Sequence, residues 1–155
     1  MSDDVEVRRL AEAEIERIEA DEPPGQGFVR AMWEQQQSGY SVLLVAWEGD
    51  RCVGSGQLVS TSHAELKNLN VVATHRGLGV GSALIAAAEA RVAGGGQLAV
   101  GVAEDNPRAR ALYERLGYVG TGELSTVTYE YVDADGVRRT ATEVDETLVK
   151  VIRRP

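Results

Sequence analysis

Arg76-Gly77-Leu78-Gly79-Val80-Gly81-Ser82 is the stretch on which the reading of this chain turns. Its three glycines alternate with other residues. An extended segment, 65–72, precedes it, and an apolar run follows. Glycine reaches backbone conformations closed to other residues, so the chain can turn sharply here and bring several N–H groups onto one small volume. A helix start adds unpaired donors and the positive end of its dipole. Together they form a pocket for a phosphate or pyrophosphate, and Arg76 adds a fixed charge. Two familiar phosphate loops do not fit. A P-loop closes with Gly-Lys-Ser/Thr, and no lysine stands here. A dinucleotide fingerprint needs glycines at its first, third and sixth positions, but the sixth residue counted from Gly77 is Ser82. Segment 97–102 also lacks a closing acidic residue for a ribose. A glycine turn with no ligand is the plain structural alternative.

Upstream, alternation predicts a strand over Val5–Arg9. Helical spacing of Ala11, Ile15 and Ile18 predicts a first helix over residues 11–20. Two prolines and two glycines break the chain over 21–27. Phe28, Met32 and Trp33 mark a second helix ending near Ser38 and Gly39. Residues 41–47 and 52–61 form a hairpin about a turn at 48–51. Gly54 and Gly56 within it signal a bulge or close backbone approach. Residues 65–72 give a strand on which strict alternation sets Glu65, Lys67 and Leu69 on one face and Leu66, Asn68 and Asn70 on the other.

Downstream, a helix is predicted over 78–92, stopped by the glycines at 94–96. A short buried strand follows over 97–102. Asn106 suits an N-cap, with Pro107 at the first helical position, and that helix ends at Gly117. A long hairpin pairs 118–132 with 137–152. The element order is that of an α/β mixed sheet with helices packed on it. No linker interrupts it, so the expectation is a single domain over 1–155.

Composition excludes several classes. Hydrophobic residues make up 43% and charged residues 26%, as in an ordinary globular protein. The formal net charge of -8 argues against nucleic acid as a partner, which needs a basic face. It suits a cationic amine. The longest apolar stretch, 83–88, is too short to span a membrane. Asp3 and Asp4 do not resemble the start of a signal peptide. Cys52 is the only cysteine and cannot form an internal disulfide, which fits a reducing, cytoplasmic compartment. Within a strand it reads as a small core residue. Two histidines and one cysteine give no ligand spacing, so no metal is expected.

Arg76-Gly77-Leu78-Gly79-Val80-Gly81 matches the Arg/Gln-x-x-Gly-x-Gly/Ala signature, and in this the chain resembles the GNAT superfamily of N-acetyltransferases. Leu69-Asn70-Val71 before it and Ser82-Ala83-Leu84-Ile85 after it fit the same pattern. So does Asn106-Pro107-Arg108-Ala109-Arg110-Ala111-Leu112-Tyr113-Glu114-Arg115-Leu116-Gly117-Tyr118, which resembles the second hallmark of the family. The resemblance covers nearly the whole chain and is weakest before Ser41. It implies the GNAT-like acyl-CoA N-acyltransferase fold: a central, mostly antiparallel sheet of about seven strands flanked by about four helices.

The resemblance also implies a chemistry, direct attack of an amine on the thioester of acetyl-CoA. The cofactor would lie in a V-shaped gap between the fourth and fifth strands, 65–72 and 97–102. The backbone of Val71, Val72 and Ala73 would bond the pantetheine arm. Backbone N–H groups of Arg76, Gly77, Leu78, Gly79, Val80, Gly81 and Ser82 would hold the pyrophosphate, and the Asn106 amide would touch the cofactor. An amine with a pKa of about 10 must lose a proton before it attacks. Glu65 is the first candidate base, with Glu104 and His63 behind it and a water chain as a further route. The Val71 N–H is the natural donor to the developing oxyanion. Tyr113 stands where the family places the proton donor to the leaving thiolate; packing is its structural alternative. The acceptor site would be shaped by the first two helices and the last hairpin, with Phe28, Trp33, Tyr40, Tyr129, Glu130 and Tyr131 at hand. Helical spacing reads Phe28 and Trp33 first as core. A small-molecule amine is the expected acceptor, with a protein N-terminus or lysine as the alternative. Other readings are a non-catalytic acyl-CoA-binding module and a nucleotide-binding protein. The last hairpin suggests a homodimer by edge pairing.

Overall fold

The computed structural model describes residues 5–60, 63–92, 94 and 96–153. Asp3, Asp4, Thr61 and Gly95, which figured in the expectations above, lie outside the described residues. Seven strands form one sheet: β1 (Val5–Arg9), β2 (Ser41–Glu48), β3 (Arg51–Ser60), β4 (Ala64–Val71), β5 (Gln97–Ala103), β6 (Val119–Val132) and β7 (Arg138–Val151). Their order is β1-β2-β3-β4-β5-β7-β6. Every neighbouring pair is antiparallel except β4 and β5, which run parallel. Four α-helices complete the fold: α1 (Ile15–Glu19), α2 (Phe28–Gln37), α3 (Val80–Glu89) and α4 (Pro107–Arg115). Among the described residues no helix is long and apolar enough to cross a membrane.

Two cores lie on opposite faces of the sheet, and period-2 alternation sorts the buried residues between them, while β6 stays exposed up to its last residue. Leu44, Leu58, Leu66, Val100 and Leu148 face α3, whose Val80, Leu84, Ile85 and Ala88 join the same core. Leu43, Val45 and Trp47 face the other way, onto Val29 and Met32 of α2 and Ile15 of α1. Phe28 and Trp33 pack against this second core, as their helical spacing implied. Each fully buried Leu or Val contributes about 1.5–3 kcal/mol relative to exposure. Gly54 lets α3 lie close. A Cβ there would come 2.9 Å from the Asn70 carbonyl oxygen and 3.2 Å from Leu84 and Val80.

Three local expectations need correction. The first helix is shorter than residues 11–20: a 3-10 turn over Glu12–Glu14 comes first, and α1 has only five residues. The cause is Glu14, whose carboxylate turns back to accept from the Ala11 N–H at 3.1 Å and from Arg8 at 2.7 Å. The third helix begins at Val80 rather than at 78, because Gly77 and Gly79 hold φ of 77° and 86°. Alternation along β4 fails at Asn68, which has φ 55°. The register with β3 slips there, so the strand carries a bulge. Leu69 therefore faces α3 beside Leu66, and Asn70 takes the opposite face with Glu65 and Lys67.

Candidate active site

β4 and β5 pair at only three positions: Ala64 with Leu98, Glu65 with Ala99 and Leu66 with Val100. Beyond them both strands continue, β4 to Val71 and β5 to Ala103, with no further pairing between them. The bulge at Asn68 lies at the parting point. A bulge bends its strand and increases its twist, which carries β4 away from β5. The result is a cleft in an otherwise continuous sheet.

Val71 lines this cleft with its backbone. The ladder bond at this point runs from the Val72 N–H to the Val53 carbonyl at 3.0 Å. In an antiparallel pair of this type the intervening residue turns its own N–H and C=O to the other edge. Those groups of Val71 therefore project toward β5. The carbonyl accepts a hydrogen bond from Arg76 Nε at 3.1 Å. Val72 has its N–H bound to β3, and its carbonyl accepts from the His75 N–H at 2.9 Å, which opens a 3-10 turn over Ala73–His75.

The glycine turn follows, and α3 starts at its end. The first intrahelical bond runs from the Ala83 N–H to the Gly79 carbonyl. The N–H groups of Val80, Gly81 and Ser82 thus have no partner within the helix and form its positive end. Gly77 has nothing within 4 Å of where a Cβ would be. Charge, donors and open space here fit a pyrophosphate.

Asn106 caps α4. Its Oδ1 accepts from the Ala109 N–H at 3.1 Å, and Pro107 takes the first helical position. The cap uses only the oxygen, so the side-chain NH2 remains a donor at the exposed start of α4. Tyr113, two turns further on, is 5% exposed and meets Tyr118 edge to face at 5.8 Å between ring centres. Burial pushes its phenol up to about 12. At neutral pH the hydroxyl is therefore a donor. Glu65 lies on β4 level with Ala99, its Oε1 3.9 Å from Lys67 Nζ. His63 and Glu104 are exposed.

On the face turned away from α3 and α4 a cavity of about 780 Å³ opens, lined among others by Asp21, Glu22, Phe28, Cys52, Asn70 and Tyr129. It joins the loop between α1 and α2 to β3, β4 and β6. Glu22 is fixed by the N–H groups of Phe28 and Val29, at 3.2 and 2.8 Å. Burial raises its carboxyl above the usual range despite those bonds. Burial likewise raises the Cys52 thiol, so this cysteine stays protonated and is a poor nucleophile. The sequence pointed to aromatics at this site but not to Asp21 and Glu22. They sit in a proline-rich break whose course no periodicity reveals. Of the aromatics, Tyr129 lines the cavity, while Tyr131 lies beside it at 6.2 Å between ring centres. Glu130 points elsewhere, toward Arg138 at 3.5 Å.

The chain is similar in fold to several solved structures. One is the ribosomal-protein-S18-alanine N-acetyltransferase of Escherichia coli, at 19% identity over 97% of this chain and 96% of that one, with a TM-score of 0.66. Another is a spermidine/spermine N-acetyltransferase of Vibrio cholerae, at 16% identity, 94% and 93% coverage and a TM-score of 0.64. A third is a GNAT family acetyltransferase of Elizabethkingia anophelis with acetyl-CoA bound, at 15% identity, 97% and 99% coverage and a TM-score of 0.66. No curated protein matches by sequence. The model of the acetyltransferase (GNAT) family matches residues 10–118, which take in the parted strands, the glycine turn and all of α4. This chain belongs to the acetyltransferase (GNAT) family.

Proposed function

We propose that the chain is a single catalytic domain that moves an acetyl group from acetyl-CoA to the primary amine of a small molecule. The observation that carries this reading is the parting of β4 and β5 beside the unpartnered amides of α3. Val71 offers the pantetheine arm its N–H, and the backbone of Val72 and Ala73 borders the arm beyond it. The backbone from Arg76 to Ser82 takes the pyrophosphate, and the Asn106 NH2 reaches the cofactor from across the cleft. Acetyl-CoA supplies the activated acyl group. The chain orients it, offers the Val71 N–H to the oxygen that gains charge, and holds a proton on Tyr113 for the leaving sulfur. Glu65 faces the acceptor side as a carboxylate that attracts a cationic amine. The acidic and aromatic lining of the cavity suits an ammonium group with an apolar body. Its volume of about 780 Å³ lies in the range of small-molecule sites, which favours a free amine as acceptor.

Calorimetric titration with acetyl-CoA tests the cofactor. Gly79→Asp and Gly79→Asn form the control pair, since both residues tolerate the left-handed backbone and differ by one charge. Wild type should bind at micromolar strength, Gly79→Asn more weakly, and Gly79→Asp about 10-fold or more below Gly79→Asn, because like charge opposes the pyrophosphate. No heat with wild type removes the basis of the reading. A screen of monoamines, polyamines and short peptides by thiol release then identifies the acceptor. Turnover of peptides alone would reverse the choice of a small molecule.

A further inference from the structure

Gly101 is the first residue of β5 past its last pair with β4. It lies opposite Thr147 of β7, and Asp145 lies opposite Ala103. Opposed residues share a face, and faces alternate along a strand. Gly101, Asp145 and Glu143 therefore point to the same side of the sheet, as does Glu65 through its pair with Ala99. That side is away from Val100, Val102 and Leu148, which lie in the core beneath α3. It is the side of the acceptor cavity, where Tyr129 stands opposite Ala141.

Glycine at 101 leaves room for a carboxylate. A Cβ there would come within 3.4 Å of Asp145 Oδ2. Asp145 therefore leans over the β5 backbone at the edge of the cleft. Its other oxygen, Oδ1, is buried and has no hydrogen-bond partner among the groups as they stand ionised. Glu143, two residues along β7 on the same face, is a neighbouring carboxyl that would donate to Asp145 when protonated. The hydrogen bond to Asp145, then burial, then the charges of Asp145 and Asp105 raise the Glu143 carboxyl to about 7. Two carboxylates in such contact resist ionising together. Among the described residues of β4 the cation on this face is Lys67, which sits beside Glu65 rather than beside the pair. Gly101, Ala103, Ser125 and Val127 are uncharged, and Asp105 is acidic.

We propose that Glu143 and Asp145 together form the catalytic base that takes the proton from the ammonium form of the acceptor. This rests on the reading that the cleft holds acetyl-CoA. The ammonium gives one proton to the pair. Its freed lone pair attacks the acetyl carbon, so a C–N bond forms and the C–S bond breaks. A second proton leaves the nitrogen and ends on the thiolate sulfur by way of Tyr113, and the third stays on the amide. The pair then returns its proton to water. Above pH 7 the pair is unprotonated and accepts readily, so the rate rises with pH through that value.

The test combines two readouts on the full chain. Carboxyl carbon-13 NMR from pH 4 to 9 should show one side-chain carboxyl titrating near 7, absent in Glu143→Gln and Asp145→Asn. Rates with acetyl-CoA and the probe amines 2-phenylethylamine, spermidine and alanyl-alanine should fall about 100-fold or more in both variants, with the limb near pH 7 lost. Acetyl-CoA affinity should stay within about 3-fold of wild type. Gly101→Val keeps both carboxyls but crowds Asp145 off the cleft, and should lower the rate while the protein stays folded. Carboxyls that all titrate in the usual acidic range overturn the proposal whatever the rates. So do variants that bind acetyl-CoA and keep both the limb and the rate, an outcome that leaves the acetyltransferase reading standing. A wild type that does not bind acetyl-CoA overturns both.

Discussion

At the scale of single residues, Tyr113 is a buried side chain to which the proposed function gives a chemical task. Burial holds its phenol at about 12, well above a thiol of about 8.5. Full transfer to a thiolate is therefore uphill, and in the proposed reaction Tyr113 would act first as a hydrogen-bond donor that strengthens as charge builds on sulfur. Tyr113→Phe should lower kcat roughly 10- to 100-fold and leave acetyl-CoA affinity within about 2-fold. Unchanged kcat would reduce its role to packing. The same burial has a consequence for stability. A tyrosine whose native pKa is raised adds stability that is fully present below about pH 10 and lost as pH climbs to about 12. Tyr118 acts in the same direction, raised by burial and by its bond to Glu89. Tyr113→Phe should move the alkaline unfolding midpoint upward, read by far-ultraviolet circular dichroism between pH 9 and 12. The N-cap role of Asn106 was legible, because the cap and the N–H it bonds lie within one helical turn. The pair proposed as base, Glu143 and Asp145, was illegible, because the pairing of β7 with β5 is what sets Asp145 beside Gly101, more than 40 residues away in the chain.

At the scale of elements, β4 makes the site. Glu65, Leu66 and Val71 were correctly placed on one strand, and its parallel pairing with β5 matches the V-shaped gap expected there. The bulge was not legible. Asn68 looks like any polar strand residue, and only the slip against Gln57 and Ser55 reveals its φ of 55°. The Asn68 side chain also donates to Gln57 Oε1 at 3.0 Å, tying the bulge to the sheet. Asn68→Gly should keep the bulge, with stability within about 1 kcal/mol of wild type. Asn68→Val forces a β-branched residue into the left-handed region, at a cost of about 1–3 kcal/mol. It should also lower acetyl-CoA affinity, because the strand would relax toward β5 and turn the Val71 groups out of the cleft. Thermal melting and calorimetry on the two variants separate the effects. A Val variant that binds as wild type would mean that the bulge does not set the cleft.

For the whole molecule, the long final hairpin leaves the sheet with an unusual edge. β6 is 14 residues long, and all but its last residue are exposed. Leu124, Val127, Tyr129 and Tyr131 give it a substantial apolar surface. Its tip is anchored: the Val132 N–H donates to Gln26 Oε1 at 3.1 Å and Arg138 reaches the Gly25 carbonyl. This fixes the hairpin beside the cavity that Tyr129 lines. An edge strand of this length presents a row of unpaired backbone groups, and proteins normally shorten, charge or cover such edges. β6 carries only Glu123 and Glu130 as charges. We propose that a second copy covers it in a two-fold arrangement, the simplest closure for like chains. Light scattering should then report twice the 16.7 kDa of one chain at micromolar concentration. Leu124→Lys, on the face away from Glu143 and Asp145, should shift the equilibrium to monomer without lowering the melting temperature of that monomer. Because Tyr129 belongs to both edge and cavity, loss of the dimer should raise KM for the amine more than it lowers kcat. A wild type that scatters as a monomer up to 100-fold higher concentration leaves β6 as a bare edge, and the hairpin's function is then confined to walling the cavity.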